Sequence, residues 1–341
     1  GDHRDLHLSL RRQRQMCIRD RRYTYYVAPE IEYFYFKDEK NTDFLDSSEY
    51  FDQITPNPGT DLRRETVLTL EELGIPVESS HHEAAPSQHE IDLRHTDALT
   101  MADTVMTYKL VVKEIASSHG YYASFMPKPT SGINGNGMHT QMSLFKGDEN
   151  IFYGENDPHH LSDTGRQFCA GLLKHAREIT LVTNQWVNSY KRLVPSYEAP
   201  TYITWAEVNR SDLIRIPSYK AGRESSRRIE YRAPDPACNP YLAFSVMLSA
   251  GLEGIEKEYQ LPQALEKSAH DMTSLELEKQ GIESLPGNLW EAIQVTEQSS
   301  LVKEALGQDV FDNFIENKKI EWDRYSGQIS QYELDRYLPT L

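Results

Sequence analysis

The sequence predicts an α+β fold for a chain of 341 residues. Segments with strand-like and with helix-like spacing both occur, but they do not follow the regular alternation that is typical of a parallel βαβ sheet. No internal repeat or low-complexity tract interrupts this pattern. Hydrophobic residues make up 38% of the chain, which is enough for a substantial core.

Residues 1–22 differ from the rest of the chain because they contain seven arginines and few apolar residues. They lack the apolar stretch of a signal peptide. We expect a leader that is disordered or non-native, with a basic interaction tail as the alternative. The folded domain is then expected over residues 23–341.

The first folded segments are predicted to be a strand and a helix joined by a long connection. The aromatic and β-branched run over 30–36 predicts a strand, on which Glu30 and Glu32 share one face. An acidic, turn-rich excursion follows over 41–61. Apolar residues at helical spacing predict a helix over 62–73, which Gly74 ends.

The remaining elements alternate without a fixed order. Extended segments are predicted over residues 76–83, 121–128 and 138–145. Helices are predicted over residues 98–119, 163–182 and 241–259, and over most of 288–341.

The charge and the cysteine content exclude several classes of function. A net charge of −16 argues against nucleic acids and anionic membrane surfaces as partners, because both require a basic face. No apolar run approaches the roughly 18 residues that span a bilayer. The three cysteines form no CxxC pair, so neither a disulfide framework nor a zinc cluster is predicted. A reducing cytoplasm is the simplest location.

Five carboxylates and one imidazole stand in otherwise apolar or aromatic segments. They are Glu30, Glu32, Glu83, Glu90, Glu230 and His139. Two carboxylates about 4 Å apart repel each other by roughly 4 kcal/mol at an effective dielectric constant near 20, so a converging group must hold protons or bind cations. Oxygen ligands with a single histidine favour magnesium or manganese. The alternative for Glu30 and Glu32 is an edge strand with solvated side chains.

A glycine-rich loop over 130–137 leads directly to His139. It lacks the Gly-Lys-Ser/Thr ending of a Walker A loop and the glycine spacing of a dinucleotide-binding loop. By itself it is typical of a tight turn. Its position predicts backbone amides beside His139 that are free to contact a ligand.

Several arginines lie close together within 41 residues of this acidic chain, and the candidates for a site are Arg192, Arg210, Arg215, Arg228 and Arg232. Arginine makes bidentate, charge-assisted hydrogen bonds, so the cluster favours phosphate or carboxylate ligands. The alternative is structural pairing with Glu207, Glu224 and Glu230. Because Arg228 and Arg232 flank Glu230 at a spacing of two, all three would share one face of a strand. A metal-binding carboxylate between two phosphate-binding arginines suits phosphoryl transfer.

Six motifs occur in order along the chain. They are Pro29-Glu30-Ile31-Glu32, His81-His82-Glu83, Phe125-Met126-Pro127-Lys128-Pro129, Asn134-Gly135-Asn136-Gly137-Met138-His139, residues 188–195, and Pro234-Asp235-Pro236 with Asn239-Pro240-Tyr241. Together they resemble the type I glutamine synthetases from about residue 23 to residue 341. The resemblance implies a curved antiparallel β-sheet surrounded by helices, which is also the fold type of guanidino kinases, with two metal sites in a funnel.

The resemblance also implies a role for each matching residue. One Mg²⁺ or Mn²⁺ ion is expected at Glu32, Glu83 and Glu90, and a second at Glu30, His139 and Glu230. Glutamate is expected along Asn134 and Gly135, with its carboxylates held by Arg192 and Arg232. The nucleoside of ATP is expected at Glu78 and Ser143, and its phosphates at Arg210, Arg215 and Arg228. The ammonium pocket is expected at Tyr50, Glu83 and Glu198, with Glu198 in a covering flap and Arg210 and Glu198 among the catalytic residues.

The expected reaction is the ATP-dependent ligation of ammonia to glutamate through a γ-glutamyl phosphate, a cytoplasmic step of glutamine biosynthesis and nitrogen metabolism. Family members carry an additional N-terminal β-grasp domain, which we expect this chain to lack, and they assemble into homo-oligomeric dodecamers. Three alternatives remain: a γ-glutamyl-amine ligase that uses a polyamine, a guanidino kinase, and an inert structural relative. No cysteine in a suitable motif supports the guanidino kinase.

Overall fold

The computed structural model describes residues 23–48, 50, 57–195, 198–209 and 211–341. The predicted leader over 1–22 and the predicted phosphate ligand Arg210 therefore lie outside the described residues. Within them, one hydrophobic core joins the sheet to the helices. The predicted α+β class is confirmed.

The described strands form one sheet of ten. They are β1 (Tyr23–Phe36), β2 (Val77–His82), β3 (Gln88–Leu93), β4 (Thr96–Asp97), β5 (Tyr122–Ser124), β6 (Met138–Lys146), β7 (Glu149–Asn150), β8 (Trp205–Ala206), β9 (Ile214–Arg215) and β10 (Ile229–Tyr231). The main order is β2-β3-β1-β6-β10-β9-β8, while β4 and β5 pair with β1 and β7 pairs with β6. The β8–β9 pair is parallel, so the sheet is mixed rather than wholly antiparallel.

Helices flank this sheet. They are α1 (Pro58–Glu72), α2 (Ala98–Ser118), α3 (Asp163–Lys174), α4 (Ala176–Thr183), α5 (Ser189–Arg192), α6 (Pro240–Glu256), α7 (Ser274–Lys279), α8 (Leu289–Glu297), α9 (Ser300–Leu306), α10 (Gln308–Ser326) and α11 (Gln331–Tyr337). None of the helices in the described part of the chain is long and apolar enough to cross a membrane.

Strand β1 forms because its alternate side chains meet two different environments. Ile31, Tyr33 and Tyr35 are fully buried in the main core, where the Tyr33 ring lies 6.3 Å from that of Tyr108 on α2. Glu30 and Glu32 point to the opposite face. The predicted strand is confirmed, and the shared face of its two glutamates follows from the same alternation.

Several element boundaries differ from the predictions. The first helix begins at Pro58 rather than at residue 62, because Asn57 caps it by accepting a hydrogen bond from the Thr60 amide at 2.7 Å. The helix predicted over 163–182 is interrupted at His175, which separates α3 from α4. The extended segment predicted over 121–128 pairs only as the short strand β5.

Helices α3 and α6 cross at a contact between glycines. A Cβ on Gly171 would lie 2.1 Å from the Ala250 carbonyl oxygen, and a Cβ on Gly254 would lie 2.1 Å from the Gln167 carbonyl oxygen. These backbones can approach so closely because neither residue carries a side chain. Glycine is therefore required at both positions of this crossing.

We predict that Gly254→Ala lowers the free energy of unfolding by about 1 to 3 kcal/mol, because the added methyl group must push the two helices apart. Gly327→Ala is the matched control, since its Cβ would meet only the Asp323 carbonyl oxygen at an ordinary 3.5 Å. Urea denaturation of both variants measures the difference. Equal stability of the two variants would contradict this account of the crossing.

Candidate active site

Two adjoining chambers lie on the face of the sheet that carries Glu30 and Glu32. The first chamber has a volume of about 470 Å³, and the second has a volume of about 530 Å³. Glu30 and Asp92 line both of them. These two residues are opposite each other on β1 and β3, so they form the wall where the chambers meet.

The sheet register brings acidic side chains together in the first chamber. Glu32 on β1 is opposite Glu90 on β3, and Glu90 is in turn opposite His81 on β2. The Nε2 atom of His81 lies 2.8 Å from a Glu83 oxygen and 3.5 Å from a Glu90 oxygen. The predicted metal ligands Glu32, Glu83 and Glu90 thus face one volume, together with His81.

Backbone and side-chain donors hold Glu32 in place. Its Oε2 atom accepts hydrogen bonds from the Gln88 side-chain amide at 2.8 Å and from the Gly137 amide at 2.9 Å. Gly137 belongs to the predicted glycine-rich loop, whose backbone therefore does contact the site. The prediction of backbone amides that are free to contact a ligand is not met at Gly137, because its amide already donates to a carboxylate of the protein.

A second group of ligands lies at the junction of the chambers. Glu30 is opposite His139 across β1 and β6. The Nδ1 atom of His139 lies 3.7 Å from a Glu30 oxygen and 3.8 Å from a Glu230 oxygen. Two ligand atoms that are each about 2.1 Å from one ion are separated by up to about 4.2 Å, so the donor set fits a single small divalent cation.

Burial and mutual repulsion raise the pKa values of the carboxyl groups. Burial and then the charge of Glu83 raise the pKa of Glu32 to about 8. Burial and the charge of Glu30 raise the pKa of Asp92 to about 6, and burial and the charge of Asp92 raise the pKa of Glu90 well above its usual range. The carboxylates therefore hold protons in the absence of a metal ion, as predicted for acidic groups that converge. A divalent cation would instead stabilise their charged forms.

The protonation of His139 also suits a metal ligand. Burial and then the positive charge of Arg232 lower the pKa of His139 well below its usual value. The imidazole is therefore neutral, and neutral imidazole is the form that coordinates metal ions.

Glu230 is completely buried and forms ion pairs with two of the predicted arginines. It accepts from Arg232 at 2.6 Å and from the Nε atom of Arg215. The alternative of structural pairing therefore holds for these two residues. Both guanidinium groups also line the first chamber, so the pairing does not remove them from the site.

Among the described residues, Arg192 and Arg228 have no acidic partner at hydrogen-bonding distance. Arg192 donates to the Ala233 carbonyl at 2.7 Å and to the Arg232 carbonyl at 3.2 Å, and it lines the first chamber. Arg228 donates from Nε to the Gln141 side-chain oxygen at 3.1 Å and lines the second chamber. The expectation that Arg228, Glu230 and Arg232 share one face of a strand is therefore not met, because β10 covers only Ile229–Tyr231 and Arg228 lines the other chamber.

The remaining predicted residues divide between the two chambers. Asn134, Gly135, Tyr50 and Glu198 line the first chamber, and the Asn134 side chain donates to a Glu198 oxygen at 3.4 Å. Glu198 has a φ of 54°, a left-handed backbone conformation that is uncommon for a residue with a side chain.

Glycine is required at position 135, because a Cβ there would lie 2.2 Å from the Pro127 carbonyl oxygen. Glu78 and Ser143 line the second chamber with Arg228.

Sequence analysis missed His81, Gln88 and Asp92 as lining residues of the first chamber. The sequence does contain a signal for two of them. Gln88, Glu90 and Asp92 are spaced by two residues, so on a strand all three share the face of the predicted ligand Glu90. This spacing indicates a shared face only on a strand, and the sequence analysis does not predict strand β3.

Comparisons with known proteins show which proteins this chain is similar to. A family model described as "Glutamine synthetase, catalytic domain" matches residues 4–337. A glutamine synthetase of Mycolicibacterium smegmatis is 50% identical over 320 residues, which cover 93% of this chain and 72% of that protein. A glutamine synthetase of Methanosarcina mazei is 51% identical over 319 residues, which cover 92% of this chain and 71% of that protein.

Solved structures show the same fold. A structure titled "GmaS/ADP complex-Conformation 1" has a TM-score of 0.85 and 30% identity, and the match covers 98% of this chain and 76% of that chain. A Plasmodium falciparum glutamine synthetase determined by cryo-electron microscopy has a TM-score of 0.83 and 26% identity, with 98% and 78% of the two chains covered.

We predict that the metal-free protein becomes less stable as the pH rises from about 4.5 to about 8. The folded state holds the Glu32 proton up to a pKa of about 8, whereas the ordinary value is 4.5, so folding favours the protonated form. Stability from this group is complete below the ordinary pKa and is lost as the pH rises through the folded one. Thermal unfolding in EDTA at several pH values measures the loss.

Glu32→Gln is the control, because it keeps the size of the side chain and removes its titration. Its stability is expected to fall less over the same pH range. Added Mg²⁺ is expected to raise the melting temperature of the wild type more at the upper end of the range. Parallel pH profiles for the two proteins in EDTA would show that Glu32 does not titrate as described.

Proposed function

The chain belongs to the glutamine synthetase family through its catalytic domain, and from this we propose that its two chambers join ammonia to the γ-carboxylate of L-glutamate while ATP is converted to ADP and phosphate. The family assignment makes the protein a ligase of glutamine biosynthesis that uses ATP and a divalent metal. One observation carries the assignment to these chambers. Glu30, Glu32, Glu83, Glu90 and His139 line the first chamber together with three arginines, and Glu30 also lines the second.

We propose that Glu32, Glu83 and Glu90 hold one Mg²⁺ ion and that Glu30, His139 and Glu230 hold the other. Donor atoms of the second set lie within 4.8 Å of one another, which supports that assignment. Beside the first set, the group with this spacing is His81, Glu90 and Asp92, so His81 and Asp92 are further candidate ligands of the first ion. Bound cations neutralise the phosphoryl group as it is transferred. The raised pKa values of Glu32 and Glu90 support this role, because these groups repel one another when a cation does not separate them.

The nucleotide is proposed to occupy the second chamber. Glu78 and Ser143 are placed to contact the nucleoside, and Arg228 is placed to contact the phosphates. Because Glu30 lines both chambers, the terminal phosphate would reach the junction next to it. Arg215 and Arg210 are proposed to complete the phosphate site, with Arg215 donating from the first chamber.

Glutamate is proposed to lie in the first chamber along Asn134 and Gly135. Arg192 and Arg232 are nearly fully buried, and their side chains are held by backbone carbonyls and by Glu230. A guanidinium group that is already oriented loses little entropy when it binds a carboxylate. The γ-carboxylate would then face the junction, where its oxygen attacks the terminal phosphorus and the bond to ADP breaks.

Ammonium is proposed to bind between Tyr50, Glu83 and Glu198. The two carboxylates attract the cation and take up a proton as ammonia attacks the carbonyl carbon of the γ-glutamyl phosphate. Phosphate then leaves with the electron pair of its bond to carbon, and the remaining proton passes to a carboxylate. Glu198 lies at the mouth of the chamber, where the predicted flap would exclude water from the acyl phosphate.

Phosphate release from Mg·ATP with glutamate tests this function. Ammonium, methylamine and putrescine are compared as acceptors, and the amide product is identified by mass spectrometry. The relatives at about 50% identity are named glutamine synthetases, so ammonium is the expected acceptor. Preference for putrescine would instead indicate an amine ligase, and absence of turnover with all three would indicate an inert relative.

We predict that Glu198→Gln lowers kcat/KM for ammonium by at least about 100-fold, because the amide cannot accept the proton. The side chain is exposed, so the fold should be unaffected. Glu278→Gln on α7 is the matched control, since Glu278 is equally exposed and lies outside both chambers. Unchanged ammonium kinetics in Glu198→Gln would remove Glu198 from the mechanism.

We further propose that the enzyme is a cytoplasmic homo-oligomer. Tyr332 and Leu338, on α11 and at its end, are 68% and 78% exposed, which supports contact with another copy. Cys169 and Cys238 are buried free thiols, which supports a reducing compartment. Light scattering of the purified protein and fractionation of cells test the two statements, and a monomer or an exported protein would contradict them.

A further inference from the structure

We propose that the hydrogen bond between Asp46 and His82 positions the ammonium pocket, because the His82 ring ties the chain before Tyr50 to the backbone of Glu83. This inference rests on the proposed function, since it concerns the same pocket. Neither Asp46 nor His82 lines the first chamber. Both would act through the residues that do, so they are positioning residues.

His82 lies at the end of β2 and is almost completely buried. Its Nε2 atom is 2.8 Å from a carboxylate oxygen of Asp46, and its Nδ1 atom is 2.6 Å from the backbone carbonyl oxygen of Glu83. The His82 ring therefore bridges the Asp46 carboxylate on one side and the Glu83 backbone carbonyl on the other.

Asp46 fastens the segment before Tyr50 to the turn between β2 and β3. Its carboxylate accepts from the amide of Ser48 at 3.2 Å and from the amide of Ser87 at 3.3 Å. The Ser87 hydroxyl accepts from the Asp46 amide at 2.8 Å and donates to the Asp46 carbonyl at 3.2 Å. Ser87 has a φ of 59°, so a tight turn presents these groups to Asp46.

The two ends of this connection meet at the proposed ammonium pocket. Tyr50 follows Asp46 by four residues, and its ring packs edge-to-face on that of His81 at 5.6 Å. His81 in turn bonds the Glu83 side chain. A shift of the His82 ring would therefore move Tyr50 and Glu83 relative to each other.

The same cluster contains a second histidine, and its contacts argue against a metal ion. Donor atoms of Asp46, His82 and His89 lie within 4.8 Å of one another, a spacing that is compatible with a metal site. Arg63 donates to His89 Nδ1 at 2.6 Å, so the neutral His89 ring must carry its proton on Nε2, 3.4 Å from Asp46. The proton and the nearby guanidinium charge leave no place for a cation.

His89 is thus a matched control for His82. Both histidines are buried and both face Asp46, but only His82 bonds the Glu83 carbonyl. We compare His82→Gln and His89→Gln in steady-state assays in which ammonium, glutamate and ATP are varied in turn at saturating Mg²⁺. Melting temperatures of both variants report the general loss of stability.

We expect His82→Gln to raise KM for ammonium by about tenfold, the effect of losing roughly one hydrogen bond to a charged group. KM for glutamate and ATP should change by less than about twofold, because Arg192, Arg232 and Ser143 are held by other contacts. His89→Gln should lower the melting temperature without selective loss of ammonium affinity. Asp46→Asn should reproduce the ammonium effect, and it carries the test if His82→Gln does not fold.

Three results would overturn the proposal. One is an unchanged ammonium KM in folded His82→Gln or Asp46→Asn. The second is a rise in all three KM values together, and the third is an equal ammonium effect in His89→Gln, because each of these two would indicate general disruption. A wild-type enzyme that forms no glutamine would refute the proposed function instead, so the two failures are distinguishable.

Discussion

The site depends on one constraint, which is that like charges are buried on one face of a strand whose other face forms the core. Ile31, Tyr33 and Tyr35 fix β1 against the helices, so Glu30 and Glu32 cannot turn away from the chambers. The neighbouring strands then add Glu90, Asp92 and His139 at matching register positions. Repulsion that would open a flexible loop is contained here by the packing of the aromatic side chains.

Positive charge is distributed so that it compensates this repulsion only in part. Arg215 and Arg232 neutralise Glu230, which is the most deeply buried of the predicted metal-binding carboxylates. Glu90 and Asp92 have no arginine at hydrogen-bonding distance among the described residues. The first chamber therefore keeps an excess of negative charge for cationic ligands, while its arginines remain available to anionic ones. This division is what a reaction among a carboxylate, a phosphate and an ammonium ion requires.

The sequence predicted the residues of the site better than their grouping. Glu30 and Glu32 were assigned to one face because the aromatic run over 30–36 has a clear strand pattern. Strand β3 was missed because its residues are mostly polar, and they are buried only by pairing with β1 and β2. Arg228 lies in a different chamber from Arg232 because β10 begins only at Ile229. Long-range pairing with β6 sets that boundary. The network around Asp46 joins distant segments and has no local signal.

Glu198 shows how the demands of chemistry and of chain conformation differ at one position. Its left-handed backbone would be adopted by glycine without strain, whereas an ordinary L-residue there costs about 1 to 2 kcal/mol. A folding requirement alone would therefore favour glycine at this point. The carboxylate is present in spite of that cost, and the side chain that it displays faces Asn134 across the chamber mouth. Ser87, His160 and Glu258 share this backbone conformation, so the strain gains meaning at Glu198 only together with the proposed place of its carboxylate in the ammonium pocket.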